Sequence, residues 1–147
     1  MSTTNTLRGL ATNCFYAPDL AAARKWYAEL LGTDAYYAFP NTENPAYIEF
    51  RIGDYEHELG FIDKKYAPPQ GVIPGGSISY WHVDNIEDMF KKLLDMGAKE
   101  YQPITQYGDA GFVTASVVDP FGNVLGVMYN PHYLDILNSG KIMITNE

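Results

Sequence analysis

Apolar and polar positions along the chain fall into two alternating regimes, and the same succession of regimes occurs twice. Leu10 to Ala17 has the period of a strand. Pro18 and Asp19 then open a helical pattern, with Asp19 as N-cap, through Leu20, Ala23, Tyr27, Leu30 and Leu31 to Gly32. Tyr36 to Phe39 predicts a short strand. Tyr47 to Ile52 and Glu56 to Ile62 predict a hairpin about Gly53-Asp54. Lys64 to Gly76, with three prolines and three glycines, reads as a connection.

The pattern then restarts. Ser77 to Val83 predicts a strand, and Asp84 with Glu87 a capping box. The helix it opens carries Ile86, Met89, Phe90, Leu93 and Leu94, and stops at Gly97. Strands follow over Tyr101 to Thr105, Phe112 to Val118 and Val124 to Tyr129, the last pair joined by the turn Asp119-Pro120-Phe121-Gly122-Asn123. Each helix spans 13 positions from cap to glycine, and the two are offset by 65. The expectation is a single α+β domain over residues 1–147. It holds two tandem βαβββ modules, about 8–64 and 76–130, and a tail over 131–147 with a short helix at His132 to Asn138. Ser2 to Thr6 reads as a disordered polar tip.

Composition narrows the function. Eighteen acidic against ten basic residues give a net charge of −8, which argues against nucleic acid and leaves room for a cationic ligand. Aromatic residues make up 14% of the chain, with 12 tyrosines, a residue type common in ligand pockets. One cysteine, Cys14, excludes an internal disulfide and a cysteine zinc cluster, and is expected to be small and buried. No run of 18 apolar residues offers a membrane span and no leader pattern is visible, so a cytoplasmic location is the expectation.

The paired modules, Trp26-Tyr27 and Leu30-Leu31-Gly32 in the first helix, Val83-Asp84-Asn85 before the second, and Asp119-Pro120-x-Gly122-Asn123 before the last strand resemble the vicinal oxygen chelate superfamily. That superfamily includes glyoxalase I, extradiol dioxygenases and the fosfomycin- and bleomycin-resistance proteins, and the resemblance covers roughly residues 8 to 130. It implies a curled mixed sheet forming a cup, lined in metal-using members by two His and two carboxylates around a divalent ion. Carried onto this chain, the ligand positions fall on Thr12, Ile78, Gly126, and either Glu58 or Gly60. Three of the four therefore cannot bind a metal, and none is expected. The resemblance also implies a homodimer, the Pro-rich connection being long enough for modules to exchange between subunits.

Strand alternation places Thr12, Cys14 and Tyr16 on the cup face, with Tyr47, Glu49 and Arg51, Glu58 and Gly60, Ile78, Tyr80 and His82, and Gly126 and Met128. The ligand-binding candidates are Thr12, Tyr16, Tyr47, Arg51, Gly60, Ile78, Tyr80, Gly126 and Met128. His82, Glu58 and Glu49 are the acid–base candidates, because a histidine beside a carboxylate titrates near neutrality. Glu49 and Arg51 are equally consistent with mutual neutralisation, His57 with a solvated edge, and His132 with a helix cap. Three functions follow. The first is a small-molecule-binding protein of the bleomycin-resistance type, without the family metal. The second is a glyoxalase- or dioxygenase-like enzyme, either metal-independent through His82 or a glutamate or using an unrecognised metal set. The third is a structural or regulatory partner whose cup is filled by its own side chains.

Overall fold

The computed structural model describes residues 10–66 and 78–140. The polar tip, the connection over 67–76 and the end of the tail lie outside the described residues. The chain divides into two compact units, Met1–Val72 and Ile73–Glu147.

In the first unit, β1 (Asn13–Ala17) leads into α1 (Leu20–Leu31), followed by β2 (Tyr37–Phe39), β3 (Tyr47–Ile52) and β4 (His57–Asp63). The strands form one sheet in the order β1-β4-β3-β2, with β1 parallel to β4 and the other pairs antiparallel. Asp19 caps α1, its carboxylate accepting from the Ala22 N–H at 3.0 Å, and Gly32 ends it at φ +73°. Leu20, Ala23 and Tyr27 on α1 are buried, as are Ile48, Phe50, Leu59 and Phe61 of the sheet. Tyr27 and Phe61 lie 4.5 Å apart between ring centroids, and Phe15 packs on both. The alternate strand residues point to the other face, which carries no helix of this unit.

The second unit repeats the plan. β5 (Tyr80–His82), α2 (Ile86–Asp95), β6 (Lys99–Tyr107), β7 (Phe112–Val118) and β8 (Val124–Tyr129) give a sheet of order β5-β8-β7-β6. Ile86, Phe90 and Leu93 of α2 are buried, as are Ala115, Val117, Leu125 and Val127 of the sheet. A third helix, α3 (Pro131–Ser139), follows.

The β7–β8 turn is organised by one buried carboxylate. Asp119 Oδ1 accepts from the Phe121 and Asn123 N–H groups at 2.9 and 2.8 Å, and Oδ2 from the Asn123 amide at 3.1 Å. Gly122, at φ +91°, supplies the left-handed residue that closes the loop.

Several boundaries differ from the sequence expectations. β1 begins at Asn13, and Leu10, 72% exposed, lies before it. Asn85, not Asp84, caps α2, accepting from the Asp88 N–H at 3.0 Å. Both residue types cap well, and the choice falls on the one in extended geometry directly before the first helical turn. Met96 rather than Gly97 is the C-cap of α2. β6 runs on to Tyr107 through two register irregularities instead of ending at Thr105. Asn130, not His132, caps α3, with Pro131 in the first turn.

Candidate functional site

The registers align one residue from each strand into a row across the helix-free face of each sheet. In the first unit the row is Cys14, Gly60, Glu49 and Tyr37. In the second it is Tyr80, Gly126, Ser116 and Gln102. Gly60 therefore corresponds to Gly126, and Glu58 lies two pairs further along on the same face, opposite Arg51. Each row has a glycine at its second place with a tyrosine ring on it. A Cβ at Gly60 would lie 2.6 and 2.8 Å from Cε1 and Cζ of Tyr47, and one at Gly126 would lie 2.7 Å from Cδ1 of Tyr80. The covering rings come from different strands, so it is the covered glycine that recurs.

The first row holds the ionisable groups. Tyr47 donates its hydroxyl to Glu49 Oε1 at 2.7 Å. Glu49 is 8% exposed. Its other oxygen is 3.9 Å from Arg51 Nη2, but the close partner of that nitrogen is Glu58, at 3.0 Å. Arg51 also donates to the Glu56 carbonyl at 3.1 Å and lies 5.6 Å from the Tyr36 ring centroid. Tyr37 stands 6.4 Å from Tyr47 between centroids. The result is a tyrosine-walled patch with a buried carboxyl at its centre and a half-exposed guanidinium at its margin.

Burial pushes Glu49 above the ordinary carboxyl range, its hydrogen bond with Glu58 and the Glu58 charge push it further, and Arg51 opposes both. Burial likewise raises the Tyr47 phenol, against a hydrogen bond with Thr12. A carboxyl raised on folding binds its proton more tightly in the folded chain. Its stabilising share is thus full at acid pH and is lost as pH rises through the folded value. Glu49→Gln keeps an acceptor for Tyr47 without the charge. It should gain on the order of 1 kcal/mol at neutral pH, with the gain vanishing below about pH 4.5. Chemical denaturation of both proteins across that range checks the sign, and an equal difference at both ends contradicts it.

The other expected residues are distributed as follows. Thr12 stands just before β1 with its hydroxyl 3.7 Å from Cys14 Sγ, and Tyr16 is half-buried two residues beyond Cys14. Cys14 is exposed, contrary to expectation, because it lies on the helix-free face of an edge strand. Ile78 is half-buried before β5. Tyr80 and Ser116 approach Gln102 Oε1 at 3.5 and 3.4 Å. Met128 pairs with His82. His82 is held within its own unit: Nδ1 accepts from the Asn130 N–H at 3.1 Å, and the ring stacks on Tyr133 at 4.6 Å. Those contacts, not a glutamate, fix its orientation. His57, paired with Ile52, faces away from Glu58, with its ring 5.6 Å from Tyr55.

Tyr36, Tyr37, Ser116 and Gln102 were not singled out in the sequence. Only Ser116 left a signal, as one of the two polar residues, with Thr114, in the otherwise apolar run Phe112 to Val118.

Residues 9–127 match the Glyoxalase/Bleomycin resistance protein/Dioxygenase superfamily. The chain belongs to it. Solved structures similar to this member of the superfamily include a glyoxalase-related enzyme from Fulvimarina pelagi (19% identity, 85% of this chain and 90% of that one, TM-score 0.63). A lactoylglutathione lyase from Agrobacterium tumefaciens is also similar (17%, 86% and 97%, 0.62). So is a superfamily member from Sphaerobacter thermophilus DSM 20745 (17%, 84% and 98%, 0.64). At these identities the likeness carries the fold. No curated protein matches the chain.

The metal of the superfamily's metal-using members does not fit the residues present. Threonine, isoleucine and two tyrosine-covered glycines stand at the corresponding positions. Among the described residues no three His, Cys, Asp or Glu side chains gather closely enough to hold an ion.

Proposed function

We propose that the protein is a small-molecule-binding member of its superfamily, taking its ligand on the tyrosine-walled face of the first module without the family metal. The carrying observation is the Tyr47–Glu49–Arg51–Glu58 network, beside the glycine-and-tyrosine pair that stands where a donor would be needed. The ligand that suits this face has a flat apolar part to lie on Tyr36, Tyr37 and Tyr47, and a donor or cationic group directed at Glu49. The excess of acidic residues favours the same sign of ligand.

The test combines elemental analysis of protein purified without chelator with a thermal-shift screen of aromatic amines in EDTA. The expected result is substoichiometric metal and a ligand-dependent rise, about 2.7 kcal/mol at a hundredfold excess over Kd. Stoichiometric bound metal, lost together with ligand binding in EDTA, overturns the reading.

A metal-independent enzyme is the second reading, favoured by Glu49 alone, since a carboxyl with a raised proton affinity beside a phenol can exchange protons with a substrate. Glu49→Gln separates the two: a binding protein loses affinity, whereas an enzyme loses turnover while still binding.

A further inference from the structure

We propose that His82 is a proton-operated latch that holds the first turn of α3 against the second sheet when neutral and releases it when protonated. The ring is deeply buried, its side chain 8% exposed. It lies flat on Tyr133 of α3, with 9° between the planes, and 5.3 Å from the Tyr129 ring of β8. Nδ1 accepts the Asn130 N–H at 3.1 Å. A neutral imidazole that accepts at Nδ1 carries its proton on Nε2. That atom is buried, has no hydrogen-bond partner among the described residues and lies 3.5 Å from Asp84 Oδ1.

The bond is placed where losing it matters. Asn130 is the N-cap of α3, its side-chain oxygen accepting from the His132 and Tyr133 N–H groups at 2.9 and 3.4 Å. His82 thus grips the backbone of the residue that starts the helix, and stacks on a residue of its first turn. A proton added to the ring goes to Nδ1 and sets an N–H against the Asn130 N–H. The acceptor is gone, two donors face each other, and either the ring turns or the cap moves away.

The groups facing the ring are Asp84 from the segment leading into α2, Tyr129 and Met128 from β8, and Tyr133 with Asn130 at the start of α3. Asp84 is the formal charge among them and favours the protonated ring. Its side chain is 92% exposed, however, so solvent screens it, while the Nδ1 contact is buried. The latched arrangement needs a bare Nδ1 to accept the Asn130 N–H, so a proton placed there favours release. Histidine is the side chain suited to do this between about pH 7.5 and pH 5.

Amide hydrogen exchange of α3 in the full chain, normalised for the intrinsic rate at each pH, reads the latch. Protection over Pro131–Ser139 should fall about tenfold on acidification from about pH 7.5 to about pH 5, the size of one lost hydrogen bond. In His82→Asn the fall should disappear, because the Asn oxygen takes the place of Nδ1 as acceptor and does not titrate. An equal fall in both proteins, or steady or rising protection in the wild type, overturns the proposal. The imidazole nitrogen shifts of the wild type test it independently of the variant. They should show a bare Nδ1 at neutral pH and a cation at acid pH, with the Asn130 amide resonance moving at the same midpoint. A neutral ring carrying its proton on Nδ1 also overturns it.

Discussion

Asp119→Ala is expected to destabilise the second unit by about 3 kcal/mol, lowering its melting temperature by about 15 °C. The carboxylate is 3% exposed and accepts three hydrogen bonds within the turn, two of them from backbone N–H groups. Removing it leaves those donors facing a methyl group, and the penalty for a stranded buried donor exceeds the net worth of the bond it made. The turn also sets the register in which Gly126 meets Tyr80 and Ser116. Asp119→Asn keeps one oxygen for the two backbone donors, so its loss should be nearer 1 kcal/mol. Calorimetry of the two variants decides the matter: equal small losses would mean that water replaces the carboxylate at no cost.

The second large effect belongs to the glycines. At Gly126 an added Cβ would lie 2.8 Å from the Ser79 carbonyl oxygen and 2.7 Å from the Tyr80 ring. The ring can swing, but the carbonyl belongs to the chain directly before β5 and takes the Gly126 N–H at 3.2 Å. The strand must move, at about 3 kcal/mol. At Gly60 the three nearest atoms all belong to the Tyr47 side chain, which yields by giving up its bond to Glu49, at about 1 kcal/mol. Gly126→Ala should therefore unfold at clearly lower denaturant than Gly60→Ala. The reverse order would show that Tyr47 is fixed more rigidly than the backbone at Ser79. Gly60→Ala has a second readout under the proposed binding function: with the Tyr47 phenol displaced, Glu49 loses a donor and ligand affinity should fall.

These outcomes rest on features of unequal visibility in the sequence. β3, β7 and β8 begin and end where the apolar pattern said, because each has one face on a helix and two strand neighbours. β6 was underestimated. It is an edge strand exposed almost throughout, so burial imposes no alternation that would mark where it begins and ends. The residues of the helix-free face were also legible, since strand period alone sorts Glu49 and Arg51 from Ile48 and Phe50. Their partners were not. Arg51 meets Glu58 rather than Glu49 because the turn between β3 and β4, with Glu56 at φ +54°, fixes which residues lie opposite. His82 shows the same limit from the other side: alternation placed it correctly beside Tyr80, but its partners come from a helix 48 residues further on.

The strand order has a kinetic consequence. In each unit the strand made first joins the sheet through the strand made last: Cys14 pairs with Gly60, and Tyr80 with Gly126. The antiparallel pairs β3–β4 and β7–β8 close over short turns and need only local search, whereas β1 and β5 dock after a long loop has been closed. Each half of the molecule is thus expected to condense from its C-terminal hairpin outward. By microscopic reversibility it also opens from the opposite margin, where β5 offers just three residues to hold the edge. In denaturant that short strand is therefore expected to be the first seam to part, exposing Gly126 while the hairpin beneath it is still intact, an order that pulsed labelling of the Tyr80–His82 amides would check.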